Sequence, residues 1–306
     1  MNQNAITKKT MSTIVMFITV ALSSFVNKLS AQANTEPASE NMMTLRMPVV
    51  PAQMNFAGER VPLERWEIKE QWEREFLLIH SETGTVFYII KLASRWFPLI
   101  EERLKANDIP DDFKYLCIAE SNLQNLISKS KAVGFWQFMS YTAPGYNLEI
   151  NKDVDERYNV LKSTEAACRY LKQAYQKFGS WTAAAASYNC GQGAYSSHAA
   201  FQRTKNYYDL DIRDETNKYI FRILTFKHLM ENKEKYGYSI ERENTYQPFA
   251  TKTIRVTASI PDLARFALSN GTTYKMLRIL NPWIRGRSLI VKGGREYDVL
   301  LPVESK

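Results

Sequence analysis

The stretch DFKYLCIAESN, residues 112–122, places a carboxylate on the apolar side of a predicted helix. Positions i, i+3, i+4 and i+7 share one helix face, so Phe113, Leu116, Cys117 and Glu120 line up together. Apolar surroundings disfavour the charged form of a carboxyl group. Glu120 is therefore a candidate for a group that keeps its proton near neutral pH.

Helical patterns dominate the chain on both sides of this stretch, from Leu63 onward. Gly and Pro separate the predicted helices, which cover 63–80, 85–106, 111–121, 135–143, 162–178, 181–189 and 212–235. Strand-like alternation occurs only after Tyr246, at 253–256 and 297–301. The sequence therefore predicts a mainly α protein in which a helical domain precedes a small α+β module, without an internal repeat.

The first residues have the features of an export signal. Two lysines precede an apolar run at 11–26, and Ala-Gln-Ala at 31–33 has the A-x-A form of a cleavage site. We predict a signal peptide at 1–33 and a flexible linker at 34–62. An uncleaved anchor is the alternative, although the run is shorter than the roughly 20 residues that span a bilayer. No cysteine stands near the cleavage point to take a lipid.

Composition limits the classes of partner. The 306 residues are 45% hydrophobic and carry a net charge of +8, which suits an anionic polymer or an envelope surface. No basic run with interleaved aromatic residues occurs, so nucleic acid is not an expected partner.

The cysteines give no sign of a metal site or a disulfide framework. Cys117, Cys168 and Cys190 are scattered singly along predicted helices. We expect buried thiols, with one bridge between any two of them left open. No metal and no cofactor is expected.

Three clusters that follow Glu120 supply groups suited to sugar binding: Ser128, the segment GFWQFM at 134–139, and the segment SYNCG at 187–191. Aromatic faces can stack on pyranose rings, and Gln and Asn amides both donate and accept hydrogen bonds. Each residue alone has a structural explanation, as a helix-end acid, a core aromatic, a surface amide or a helix cap. Their order favours a shared site.

This order resembles the catalytic domain of lytic transglycosylases in the lysozyme-like superfamily, over about residues 85–245. Trp136 before Gln137 and the segments at 155–157, 163–164 and 166–167 place it nearest the membrane-bound branch. The element Glu-Thr-x-x-Tyr at 215–219 also resembles an element of the family. The sequence departs from the family at Ser187 and Asn159 and in having no lipobox cysteine. We assign residues 63–245 to this domain.

The resemblance implies a peptidoglycan lytic transglycosylase. Such an enzyme cleaves the β-1,4 bond between N-acetylmuramic acid and N-acetylglucosamine and leaves a 1,6-anhydromuramic end. One carboxylate, here Glu120, would act first as acid and then as base. The resemblance further implies that Ser128 and Gln137 bind substrate, that Met139 and Tyr188 wall the site, and that Asn189 and Tyr219 position sugar or Glu120.

Two other classes stay open. A lysozyme- or chitinase-type hydrolase on the same fold needs a second carboxylate about 5–9.5 Å from the first, and the candidates are Glu149, Asp153, Asp155 and Glu156. Asp155 is more simply explained as a partner of Arg157. A non-catalytic cell-wall-binding protein would have lost the acid. Ser121 is expected to cap or brace the end of its helix.

The tail at 250–303 has the order βααβ, with Asn281-Pro282 after the second helix and a strand that closes on Pro302. This resembles a LysM domain, although 258–261 differs from the Gly-Asp-Thr common in that family. Glycan binding and packing against the catalytic domain are both open roles. Together these features predict an exported, periplasmic monomer that acts on peptidoglycan strands, with outer-membrane association left open.

Overall fold

The structure, a computed structural model, describes residues 49–303, so the predicted signal peptide at 1–33 and most of the predicted linker lie outside the described residues. Within that range the mainly α fold class is confirmed. The helices are α1 Trp66–Ser81, α2 Thr83–Ala106, α3 Phe113–Ser121, α4 Val160–Phe178, α5 Trp181–Cys190, α6 Gln192–Gln202, α7 Asp214–Glu231, α8 Leu263–Ser269 and α9 Tyr274–Leu280. The strands are β1 Asn55–Phe56, β2 Glu59–Arg60, β3 Thr251–Val256 and β4 Tyr297–Pro302.

Helix α3 is the short central helix of the helical domain and packs against α2 and α7. Its apolar side chains are buried, as the spacing in the sequence predicts: Phe113, Leu116, Cys117 and Ile118. Burying each large apolar side chain favours folding by about 1.5–3 kcal/mol. The helix is therefore fixed along its length, and its last turn delivers Glu120 from the core to the edge of the site.

Helices α4 and α5 approach closely because α5 presents alanines. Residues 183–186 are all alanine and are fully buried. The N-terminus of α5 is capped by Ser180, whose Oγ accepts a hydrogen bond from the Ala183 amide at 3.2 Å. A close, capped packing of this kind fixes where the C-terminal end of α5 places Tyr188 and Asn189.

Residues 55–62 differ from the predicted flexible linker, because they form part of the core. β1 pairs with β2 in an antiparallel hairpin, and Phe56 is fully buried with its ring 5.2 Å from that of Phe113. The Glu59 carboxylate accepts hydrogen bonds from the Trp181 and Thr182 amides at 2.6 and 2.9 Å, next to the positive end of the α5 dipole. These contacts join residues more than 50 positions apart, so the local sequence pattern gives no sign of them.

Two helix predictions also differ from the structure. The segment 135–143 forms tight turns instead of a helix, with a 3-10 helix only at Ala143–Tyr146. Helix α6 was not predicted, because Gly191 and Gly193 suggested a loop. Gly191 does end α5, with a positive φ of 85°, and α6 starts at the next residue.

Helices α1 and α2 meet at a bend of 86°. Both contribute to the core, α1 through Trp72 and Phe76 and α2 through Ile89 and Ile90. Among the described residues no single helix is long and apolar enough to cross a bilayer, and the bent pair meets that criterion by length and composition only.

The C-terminal module shows the predicted βααβ order, with β3 antiparallel to β4 from Thr251–Pro302 to Val256–Tyr297. Its apolar core is built around Leu263, Leu277, Val299 and Leu301. The same core includes three side chains of the helical domain: Val133, Val154 and Tyr158. The module is thus packed against the helical domain, which is one of the two roles left open by the sequence.

We expect Phe56→Ala to lower the free energy of unfolding by about 3–5 kcal/mol, because it leaves a cavity beside Phe113. Urea unfolding followed by circular dichroism measures this change. Val49→Ala, at a side chain that is 62% exposed, is the control and should change stability by less than about 0.5 kcal/mol. Equal stability of the two variants would show that residues 55–62 behave as a linker.

Candidate active site

Glu120 lies in the last turn of α3, which ends at Asn122 in the left-handed region with φ 51°. The amide of Asn122 donates to the Ile118 carbonyl at 2.8 Å and closes the helix. On the side of α7, the Tyr219 hydroxyl donates a short hydrogen bond to Oε1 of Glu120. Tyr219 is itself buried, so packing around the ring holds the phenol against the acid.

Burial determines the electrostatics of this carboxyl group. Desolvation raises the pKa of Glu120 from 4.5 to about 7. The Tyr219 hydrogen bond and the charge of Arg222 oppose this rise, and the charge of Glu215 adds to it. Near neutral pH both the protonated and the ionised forms of Glu120 are therefore populated, which is what a group that gives and later takes a proton requires.

The segment at 134–139 depends on glycine at its start. Gly134 has a φ of 84°, and a Cβ placed there would lie 2.0 Å from the carbonyl oxygen of Arg157. Gln137 also has a positive φ, 48°. Its Nε2 donates to the Gly134 carbonyl at 2.7 Å, which leaves the amide oxygen as its further acceptor. The amide group of Gln137 is thus held by its own turn.

This segment is tied to three helices by its backbone carbonyls and by Trp136. Ser121 of α3 donates to the Phe135 carbonyl at 2.8 Å, the bracing role expected from the sequence. The indole of Trp136 donates to Thr164 of α4 at 2.8 Å. The Tyr188 hydroxyl of α5 donates to the Trp136 carbonyl at 2.8 Å. These bonds fix the segment next to the end of α3.

A cleft of about 440 Å³ lies against this segment. Four of the residues predicted to bind substrate line it: Gln137, Met139, Tyr188 and Asn189. Burial raises the pKa of the Tyr188 phenol, and the negative charge of Glu120 raises it further. Tyr188, in the wall of the cleft, therefore lies within reach of the charge of the acid. The cleft thus brings together four of the seven site residues that the sequence selected. In the described part of the chain, Glu120, Tyr219 and Ser128 are not among its lining residues.

The lining of the cleft includes residues that the sequence analysis missed. Tyr141 is 79% exposed at the rim. Tyr146 donates to Gln173 of α4 at 2.7 Å, and both line the cleft, as does Gln192. Tyr141 follows Met139 by two positions, which could have drawn attention to it. Gln173 lies outside the motifs and is brought here only by the packing of α4, whereas Gln192 directly follows the segment at 187–191.

Asn189 and Ser128 have structural partners. Asn189 Oδ1 accepts a hydrogen bond from Thr216 at 2.7 Å, which joins the end of α5 to the helix that carries Tyr219. Ser128 Oγ accepts from the Ala132 amide at 3.0 Å within a tight turn. Ser128 is not among the residues that line this cleft in the described part of the chain, so its hydroxyl supports the turn beside the site.

The four candidate second carboxylates lie on the segment 149–156, where other groups engage them. Asp155 forms a buried bidentate pair with Arg157, at 2.9 and 2.7 Å. Glu149 accepts from Tyr297 at 3.1 Å, and Glu156 accepts from the Glu149 amide at 2.8 Å. Asp153 packs its carboxylate against Gly286. These contacts connect the acids to each other and to the C-terminal module.

The carboxylate whose charge does act on Glu120 is Glu215, at the start of α7. It is paired with Arg222 at 2.7 Å, and Arg222 also lies 3.8 Å from the buried Glu75. The sequence analysis placed Glu215 in a family element but gave it no role in the site.

The three cysteines are free thiols, so none of the bridges left open by the sequence is formed. Burial raises the pKa of all three, most strongly at Cys117. Within residues 49–303 there is no group of three or more His, Cys, Asp or Glu side chains that could hold a metal ion.

Comparison with known proteins agrees with this fold. Residues 97–210 match the family model of the transglycosylase SLT domain, and residues 252–305 match that of the soluble lytic transglycosylase C-terminal LysM-like domain. The chain thus resembles an SLT domain followed by a LysM-like module, and both predicted resemblances are confirmed.

Among individual proteins, the chain is homologous to membrane-bound lytic murein transglycosylase D of Escherichia coli strain K12, with 26% identity over 201 residues. The protein of the same name from E. coli O6:H1 strain CFT073 matches with the same figures. The match covers 63% of this chain and 44% of the relative, so the chain spans less than half the length of these curated relatives.

We expect Glu120→Gln to stabilise the protein at pH 8 but not near pH 4.5. Folding raises the pKa of Glu120 from 4.5 to about 7. The stability that the protonated group contributes is therefore complete below pH 4.5 and is lost as the pH rises through about 7. The amide cannot ionise, so the variant should be more stable at pH 8 by about 1–3 kcal/mol.

Urea unfolding at both pH values measures this difference. Glu102→Gln, at an exposed glutamate, controls for the removal of one negative charge. A stability difference between Glu120→Gln and the native protein that does not change with pH would contradict the raised pKa.

Proposed function

We propose that this protein is a peptidoglycan lytic transglycosylase that cleaves the β-1,4 bond between N-acetylmuramic acid and N-acetylglucosamine and forms 1,6-anhydromuramic ends. The observation that carries the proposal is Glu120, a carboxyl group with a pKa raised to about 7, whose charge acts on Tyr188 in the wall of a cleft lined by aromatic and amide side chains. The match to the SLT domain supports the same activity.

In the first step, the protonated Glu120 donates its proton to the glycosidic oxygen as the bond to C1 of the muramic acid breaks. The carboxylate that remains is stabilised by the hydrogen bond from Tyr219 and by the charge of Arg222. In the second step this carboxylate takes the proton of the C6 hydroxyl while that oxygen bonds to C1. The acid is then protonated again and no water has been consumed.

Substrate binding is assigned to the residues around this acid. Gln137 and Asn189 have amide atoms left to bond sugar hydroxyl or N-acetyl groups, because each structural bond uses only part of the amide. Met139 and Tyr188 form the wall of the cleft, and Tyr219 positions the acid. Ser128 would contact the substrate through the turn that it supports.

The second candidate is a hydrolase on the same fold. Such an enzyme needs a second carboxylate, and Glu215 is the carboxylate whose charge acts on Glu120. Its pairing with Arg222 at 2.7 Å favours a structural role, and the four acids first considered are engaged elsewhere. These contacts support the lytic reaction over hydrolysis. Retention of Glu120 favours an enzyme over a wall-binding protein.

Location and partners follow from the same activity. We propose that the protein works in the cell envelope on peptidoglycan glycan strands, exported by the signal peptide predicted at 1–33. The name of the relatives describes a membrane-bound protein that acts on murein. A periplasmic location, a monomeric state and any attachment to the outer membrane stay predictions.

Glu120→Gln is expected to abolish the release of 1,6-anhydro products while the protein stays folded and still binds glycan. Gln keeps the size of the side chain but has no carboxyl proton to give. General acid–base catalysis contributes about 10²–10⁴-fold, and here one group serves both steps, so the loss should reach or exceed that range. Mass analysis of muropeptides released from purified peptidoglycan measures it.

Glu215→Gln is the matched comparison, because it removes the other carboxylate near the acid. It should keep the anhydro product as the main product. Two results contradict the proposal: an active Glu120→Gln enzyme, or native products that carry an ordinary reducing end. Loss of all products in Glu215→Gln, together with reducing ends in the native digest, would favour the hydrolase.

We also expect Tyr141→Ala to weaken the binding of soluble glycan strands by about 2–12-fold, since an aromatic contact contributes about 0.5–1.5 kcal/mol. Affinity is measured in the Glu120→Gln background, where no cleavage occurs. Phe201→Ala removes an aromatic side chain that is 86% exposed and does not line the cleft in the described residues, so it is the control. Equal affinities would remove Tyr141 from the binding surface.

A further inference from the structure

The C-terminal module contacts the helical domain through the segment 153–158. Val154 pairs with Ile284 in an antiparallel bridge. The Asp155 amide donates to the Trp283 carbonyl at 2.8 Å, and the Arg285 amide donates to the Asp153 carbonyl at 2.7 Å. The module therefore holds the backbone of this segment as a neighbouring strand would.

Side chains extend the same interface. Val154 and Tyr158 are buried in the apolar core of the module. The guanidinium group of Arg285 lies over the Tyr158 ring, 4.2 Å from its centroid. Separating the module from the helical domain would expose these apolar surfaces to water. The docked arrangement is therefore favoured over a freely moving module.

The held segment in turn supports the wall of the cleft. The Arg157 guanidinium group is buried, binds Asp155 through two nitrogen atoms, and donates from Nη1 to the Phe138 carbonyl at 3.1 Å. The Arg157 carbonyl fills the space where Gly134 has no side chain. Val133, next to Gly134, pairs with Phe138 and reaches into the core of the module.

We propose that the C-terminal module is a brace for the cleft, and that Arg157 and Asp155 are the positioning residues that connect them. The module fixes the backbone of Asp155, the buried ion pair fixes Arg157, and Arg157 fixes the carbonyl between Gln137 and Met139. The effect of this brace on catalysis rests on the proposed function. The acid itself is held by Tyr219 of α7, outside the braced segment, so the brace acts first on substrate binding.

The test uses the full-length chain with a point substitution in the interface, because deletion of the module would uncover its apolar contacts. Val154→Asp places a carboxylate in the shared core and should separate the module. Leu268→Asp places the same carboxylate on the outer face of the module, at a side chain that is 71% exposed, and is the matched control. Val154→Ala gives a milder version should Val154→Asp fail to fold.

Hydrogen exchange of the segment 133–139 is the first measurement, made without substrate. We expect its amides to exchange at least about tenfold faster in Val154→Asp, which corresponds to the loss of about 1.4 kcal/mol of local stability. In Val154→Ala the increase should be smaller, and in Leu268→Asp there should be none.

The second measurement is the kinetics of cleavage of soluble glycan strands. We expect the KM to rise about tenfold in Val154→Asp, with kcat and its pH profile close to native, because Glu120 keeps its partners. General damage to the fold would lower kcat and the folded fraction together.

The proposal is overturned by a variant in which the segment 149–158 has become exchangeable while the exchange at 133–139, or the KM, is unchanged. The exchange result is independent of the chemistry. Should the native protein release no anhydro product, the proposed function fails, while exchange still decides whether the module supports the cleft.

Discussion

The hydrogen bond between the Tyr219 hydroxyl and Glu120 is the contact on which the rest of the site depends. Desolvation alone would keep the acid neutral, and an exposed position would keep it ionised. The phenol supplies one donor to the charged form of this partly buried carboxyl group. To place that donor, α7 must cross the end of α3, and the buried apolar faces of both helices provide this crossing.

Arg157 connects regions that are separate in sequence. The three hydrogen bonds of its guanidinium group reach Asp155 and the Phe138 carbonyl. The Arg157 carbonyl occupies the space that only glycine leaves at position 134. A buried pair of this kind adds little net stability when compared with an apolar pair, but it specifies geometry. The guanidinium group orients two backbone segments at once, which a hydrophobic contact would leave free to slide.

The sequence predicted those parts of the molecule that depend on local pattern. The apolar face of α3, the alanines of α5 and the βααβ order of the tail all follow from side-chain periodicity. The candidate site residues were selected through the order of their motifs. Residues whose roles come from distant contacts were missed: Phe56 and Glu59 lie in a segment without periodicity, and Gln173 reaches the cleft from a part of α4 that lies outside the motifs.

The hairpin at 55–60 also sets the smallest piece of this chain that can be expected to fold by itself. Glu59 supplies acceptors for the first amides of α5, and Phe56 closes the core around Phe113. A shorter recombinant domain that began at the first helix would leave those amides unpaired and a hydrophobic gap beneath α3. Domain boundaries drawn from helical pattern alone would therefore cut inside the cooperative unit that holds the acid in place.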